Sequence, residues 1–227
     1  MDQYELSPQG QLLLELYAEM ASEGYERASG EKVNVAFSDF EIRKFRNVVK
    51  PFISNNHVRS ILDFGSGGSD WHAKGFEPET GQSAMEFFAL ESVSNYEPAR
   101  ARDEVQRADC VTCIDVLEHI FITDVSKILT EIFENATRCV VLNIACYPAA
   151  ALLPNGENAH ITVRHPHWWK GMVDAVATKF PDIETLLICS ETYMSGVIFD
   201  TWRSSSWHES PDFLIAPENW TEFGKQA

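Results

Sequence analysis

Basic residues are scarce in this chain. Its 227 residues hold 18 Lys and Arg against 34 Asp and Glu, a formal net charge of −16. A field of that sign repels phosphate backbones and anionic lipid surfaces, so neither nucleic acid nor a membrane is an expected partner. Long apolar runs are missing too, and nothing approaches the ~18 residues of a membrane span. The start, Met1-Asp2-Gln3-Tyr4-Glu5, is acidic and polar, unlike a secretory signal. Cysteines are few and odd in number. Cys110, Cys113, Cys139, Cys146 and Cys189 sit in or beside apolar runs, which suits buried, reduced thiols rather than a disulfide framework. These absences point to a cytoplasmic location. What remains, 44% apolar and 23% charged residues, is enough apolar material for one packed core and excludes wholesale disorder.

Two helical patterns come first. Leu12, Leu13, Leu16, Tyr17 and Met20 recur at helical spacing over residues 7–22, behind a Ser7-Pro8 start signal. Phe40, Ile42, Phe45, Val48 and Val49 repeat the pattern over 38–53, with Ser38 or Asp39 as the expected cap. Residues 1–57 are therefore expected to form a helical segment packed on the remainder. From residue 58 short apolar runs take over, at 61–64, 85–90, 110–114 and 139–144. Continuous runs of this kind suit strands buried on both faces. The helical stretch 124–135 between the last two implies crossover connections and a parallel sheet. Runs at 183–189 and 196–202, separated by a short turn, predict a closing antiparallel hairpin. The expected main domain is thus 58–203, followed by a tail over 204–227.

The sharpest motif is Ile61-Leu62-Asp63-Phe64-Gly65-Ser66-Gly67-Gly68-Ser69, a strand running straight into a glycine turn. A P-loop is excluded, because no Gly-Lys-Ser/Thr follows. The dinucleotide fingerprint fits poorly, since Asp70 stands where its third glycine belongs. About fifty residues later comes Asp115-Val116-Leu117-Glu118-His119-Ile120. In this order the two motifs resemble those of the class I S-adenosylmethionine-dependent methyltransferases. That family places an acidic residue in the first strand before Gly-x-Gly and often ends its fourth strand in such a run. The resemblance covers roughly residues 58–145, and the closing hairpin extends it.

The resemblance implies a Rossmann-like, mostly parallel sheet with an antiparallel C-terminal hairpin, and S-adenosylmethionine as cofactor. It implies Asp63, Gly65, Ser66, Gly67, Glu91, Asp115 and Val116 as cofactor-binding residues. Glu91 would hold the ribose hydroxyls from the end of the second strand, with Glu97 in reserve. The chain departs from the family at Ser69, which replaces a further glycine. It departs again in having only 18 residues between Leu90 and Asp109. The third-strand region is therefore expected to be shortened or missing, and the adenine pocket stays unassigned.

Asp115, Glu118 and His119 fall at i, i+3 and i+4, on one face if a helical turn begins at Asp115. His119 and His160 are the candidate catalytic residues, either serving as a base toward a hydroxyl acceptor. Asn158 is a candidate acceptor contact, and Trp168 or Trp169 could stack on a ring or belong to the core. Glu118 and His119 could equally cap the following helix. Asp115, Glu118, His119 and His160 also resemble the metal set of the ubiquinone-type O-methyltransferases and the plant small-RNA 2′-O-methyltransferases; the expectation adopted is a histidine base without a resident metal. Cys110-x-x-Cys113 is no zinc pair, because i and i+3 on a strand point to opposite faces. The expected activity is methyl transfer to an oxygen or nitrogen of a small, polar, metabolite- or sugar-like molecule. Two alternatives stand beside it: a non-methylating enzyme on the same fold, by aminopropyl transfer or cofactor cleavage, and an inactive binding or scaffold protein.

Overall fold

The computed structural model describes residues 6–34, 40–193, 195–199 and 213–214. Helix α1 (Pro8–Glu23) begins as the sequence predicts. The Ser7 hydroxyl accepts from Gly10 N and Pro8 takes the first helical position, where its missing N–H costs nothing. Strands β1 (Tyr25–Arg27) and β2 (Lys32–Val33) follow, and then α2 (Ile42–Asn55). The expected caps Ser38 and Asp39 lie outside the described residues.

The main sheet is built from β3 (Ser60–Phe64), β4 (Ser92–Glu97), β6 (Ala108–Ile114), β7 (Ala136–Ala145) and β9 (Glu184–Ser190), all parallel. Three short strands pair antiparallel at its flanks: β5 (Arg102–Asp103), β10 (Ser195–Phe199) and β11 (Phe213–Leu214). The order is β11-β10-β9-β7-β6-β3-β4-β5. This α/β sheet with its antiparallel hairpin is compatible with a Rossmann-like fold. On the β4 flank a single 3-10 turn, Pro98–Arg100, and the two-residue β5 fill the stretch before β6. The expected tail over 204–227 lies outside the described residues except for β11.

Period-2 alternation sends neighbouring strand residues into two different cores. Leu62, Val111, Val140 and Leu142 join α4 (Val125–Asn135) and α5 (Pro166–Ala177) on one face. Ile61, Cys110, Cys139 and Val141 join α2 and α3 (Ala84–Phe88) on the other. The sheet is covered on both faces, which explains why its strands are apolar runs rather than alternating ones. A small second sheet, β2-β1-β8 with β8 at Ala151–Leu152, sits against α1 through Leu13, Met20, Leu153 and Ala159. All five cysteines are free thiols. No described helix is long and apolar enough to cross a membrane.

One expected strand is corrected. Residues 85–90 are not a strand: they contain α3, whose Ser83 and Glu86 form a reciprocal capping box. Ala89, in the left-handed conformation, ends that helix. The second parallel strand starts only at Ser92, with a less apolar sequence than its neighbours.

Candidate functional site

The chain enters the sheet at β3, adds β4 on one side and then crosses to β6 on the other. The strand order therefore reverses between β3 and β6, and the crevice beyond the carboxyl ends of those strands is where open α/β sheets bind ligands. Both motifs meet there. Gly65 follows β3 at φ +78°, and Asp115 follows β6 at φ +59°. A left-handed aspartate is uncommon outside turns and functional sites. Val116 reaches across to the glycine turn: a Cβ on Gly65 would lie 2.3 Å from its Cγ2.

The glycine turn is tied to the end of β4. Gly65 N and Ser66 N both donate to Tyr96 O, and Gly67 N donates to Glu97 Oε2 at 2.9 Å. Glu97 Oε1 accepts from Ala99 N at 3.1 Å. The hydroxyl of Ser66 is buried and has no hydrogen-bond partner among the described residues.

Glu91 does not stand at the carboxyl end of the second strand, where the expected role needs it. It precedes β4, at the amino end of the strand, with its side chain exposed and paired to Arg59 at 2.5 Å. The carboxylate that stands beside the glycine turn, at the carboxyl end of β4, is Glu97. The misplacement follows from taking α3 for the second strand.

Asp63 is buried within the sheet. Its Oδ2 accepts from Trp71 Nε1 at 2.8 Å and its Oδ1 from Thr112 Oγ1 at 3.2 Å. Burial pushes its carboxyl up to about 6 against those two hydrogen bonds, and the charge of Glu97 adds to the rise. Both oxygens are thus engaged with protein groups. Asp63 ties the strand to Trp71 and to Thr112 of β6 beneath the glycine turn.

On the other side of the crevice, Leu117–His119 form one turn of 3-10 helix rather than the α-turn expected from Asp115. Asp115, His119 and His160 come together, one donor atom from each lying within 4.8 Å of the others. The two imidazole rings meet edge to face at 4.8 Å between centroids. Glu118 turns away. It is fully buried and its Oε1 accepts from Ala145 N at 2.5 Å. Burial and the neighbouring charge of Asp115 push its carboxyl well up, and its bond to Ala145 N helps to fix the 117–119 turn against β7. Asp115 goes the other way. Burial opposes its charge, but the His119 imidazole, a hydrogen bond with Glu118, then His160 and the Lys44 ammonium hold its carboxyl below the usual range.

The ring nitrogens follow from the carbonyls beside them. A backbone carbonyl only accepts. His160 Nδ1 lies 2.5 Å from Tyr147 O, and His119 Nδ1 lies 2.9 Å from Ala159 O. Both Nδ1 atoms therefore carry hydrogen, and in the neutral form of each ring the lone pair is on Nε2. Burial, then the neighbouring His160, hold the His119 imidazole down at about 4, so it is neutral near pH 7.

Two further candidates resolve as follows. Asn158 is consumed by its own loop, accepting from Ala149 N and His160 N and donating to Ala149 O. It shapes the loop that carries His160. Trp169 is fully buried in the core, with Trp168 packed at the edge of the same cluster. Tyr17 of α1, expected only as an apolar stripe position, has its hydroxyl on His119 Nδ1 at 2.9 Å. The one sequence cue was a tyrosine in an otherwise aliphatic stripe.

No protein-family model matches the chain, and no curated protein or solved structure matches it.

Proposed function

We propose that the chain is an S-adenosylmethionine-dependent methyltransferase acting on an oxygen or nitrogen of a small polar acceptor. The observation that carries this reading is the pairing, across one switch-point crevice, of a glycine turn facing a strand-end carboxylate with a carboxylate and two imidazoles. Ser66 and Glu97 would hold the cofactor, Ser66 through its unpartnered buried hydroxyl and Glu97 by accepting from the ribose hydroxyls. Gly65 and Val116 shape the wall between the two halves. The cofactor, when bound, supplies the electrophilic methyl group of a sulfonium.

The protein's own part is to bring the acceptor into line and to take its proton. Nε2 of His119 and of His160 are the free lone pairs, and Asp115, held ionised, stabilises an imidazolium once one of them has been protonated. An alcohol acceptor needs that base; an amine needs only positioning.

A second reading is favoured by one specific feature. Histidines that ligate metals usually donate the other ring N–H to a carbonyl or carboxylate, as both rings do here. Asp115, His119 and His160 would then hold a divalent cation of the oxygen- and imidazole-binding kind, which would polarise a hydroxyl acceptor.

Titration calorimetry with S-adenosylmethionine, followed by a methyl-transfer screen over small hydroxyl and amine acceptors, tests the proposal. Binding that depends on Glu97, together with acceptor-dependent release of S-adenosylhomocysteine, is the expected result. Absence of binding would overturn it, and cofactor breakdown without any acceptor would move the chain to a non-methylating reaction.

A further inference from the structure

Leu13, Tyr17 and Met20 share one stripe of α1, and Leu13 and Met20 are buried against Leu153 and Ala159. A tyrosine in such a stripe must bring its hydroxyl to a partner. Here it finds two. Tyr17 Oη donates to Ala159 O and lies 2.9 Å from His119 Nδ1. Its ring meets the His119 ring edge-on, at 5.2 Å and 86°. The proton count has one solution. Ala159 O only accepts, so the hydrogen between it and Nδ1 belongs to Nδ1. Tyr17 gives its single proton to Ala159 O, so a lone pair of Oη faces Nδ1–H. The imidazole N–H then has two acceptors, and the competing tautomer, with hydrogen on Nε2, would set the Nδ1 lone pair against a carbonyl oxygen. Burial, then the charges of Glu118 and Asp115, hold the Tyr17 phenol well above its usual range, so the group stays a hydroxyl.

The far end of α1 is fixed separately. Ser7 N and Ser7 Oγ both donate to the Asp124 carboxylate, at 3.0 and 2.7 Å. Gly10 packs so closely on that carboxylate that a Cβ would meet Asp124 Oδ2 at 2.2 Å.

We propose that Tyr17 is a positioning residue for His119: its hydroxyl holds the ring in the orientation and tautomer that present Nε2 to Asp115 and His160. This rests on the reading that His119 works in that site.

The test is a ¹⁵N spectrum of the histidine rings in the cofactor-free, metal-free protein at neutral pH. In the wild type, His119 shows hydrogen on Nδ1 and none on Nε2. Tyr17→Phe removes one of two acceptors, and loss of one neutral hydrogen bond shifts the tautomer ratio by roughly fivefold toward Nε2–H. Leu13→Ala loosens the packing of α1 while keeping the hydroxyl; it lowers the melting temperature and leaves the His119 tautomer alone. Hydrogen on Nε2 in the wild type, or an unchanged His119 ring spectrum in Tyr17→Phe, overturns the proposal. Neither readout requires turnover, so a failure of methyl transfer and a failure of this assignment are told apart.

Discussion

Gly65 and Val116 interlock across the switch point: a Cβ on Gly65 would come within 2.3 Å of Val116 Cγ2. The last residue before each half of the site turns is therefore shaped by the other half. At φ +78° a side chain on Gly65 is strained whatever the space around it. Gly65→Ala is expected to cost about 2 kcal/mol or more, part from the left-handed backbone and part from the clash. Val116→Ala in the same chain should return the clash part and leave the backbone part. Denaturant unfolding of the two single variants and the double variant measures this coupling. Strict additivity would show that the two residues do not press on each other.

Asp63 offers a second check, because its carboxyl is raised to about 6 by burial. The folded state then binds a proton more tightly than the unfolded chain, in which an aspartate titrates near 3.9. Stability from this group falls as pH rises from about 4 through about 6, by up to about 3 kcal/mol, and is level above that. His119 works in the opposite sense. Its depressed pKa of about 4 makes the unfolded chain the better proton binder, so its contribution is lost on acidification from about 6.5 toward 4. Asp63→Asn keeps an acceptor for Trp71 and can donate to Thr112, while removing the titration. It should be more stable than the wild type at pH 7 and lose that advantage on going to pH 4. A stability difference that does not change with pH would show that Asp63 titrates normally.

Much of the fold was legible because the sheet is buried on both faces. A stretch of strand such as Cys139–Leu142 must then be apolar throughout, and apolar runs stand out in a sequence. The error at 85–90 has the same root. Phe87 and Phe88 make a run as apolar as a buried strand, and only the Ser83–Glu86 capping pair marks it as a helix start. The true second strand, Ser92–Glu97, lies near the sheet flank, carries polar residues and gives little signal. That single slip put Glu91, rather than Glu97, at the carboxyl end of the second strand. Asp115, His119 and His160 were legible as residue types, but not the backbone carbonyls of Tyr147 and Ala159 that orient the rings, since a carbonyl carries no sequence signature. Tyr17 was hidden because helix periodicity shows which face is buried and not what a hydroxyl on that face touches.

The move from Glu91 to Glu97 makes a clear prediction. Glu91→Ala removes an exposed ion pair with Arg59 at the far edge of the sheet and should leave S-adenosylmethionine affinity unchanged. Glu97→Ala should weaken it by about 2–4 kcal/mol, the value of two charge-assisted hydrogen bonds to ribose hydroxyls. It also frees Gly67 N and Ala99 N, so Glu97→Gln is the cleaner variant: its amide can still accept from one of them. Calorimetry on the three variants decides the matter. Equal binding by the wild type and Glu97→Gln would remove Glu97 from the cofactor site.

The last prediction separates a histidine base from a metal ligand. Both readings use the same three side chains and both lose activity when one is removed, so loss alone decides nothing. As general base, either His119 or His160 should cost about 10²–10⁴ in turnover when replaced by alanine, with cofactor affinity nearly intact. That loss should fall on hydroxyl acceptors and spare amines, which need no base. A chelator should leave the wild type unaffected. As metal ligands, the histidines and Asp115 should behave as a set. His119→Ala, His160→Ala and Asp115→Asn would each weaken binding of Mn²⁺ or Mg²⁺ measured directly by calorimetry. Chelation would silence the wild type, and added cation would restore it. Asp115→Asn discriminates best. An amide still accepts a hydrogen bond but carries no charge, so it is a poorer ligand and cannot stabilise an imidazolium. In the base reading its loss persists at any cation concentration, because the missing charge is on the protein. In the metal reading enough cation recovers part of it, because the missing charge costs occupancy first. Full wild-type turnover by all three variants would leave neither reading standing, and the cluster would then serve only to pin the 158–160 loop against the end of β6.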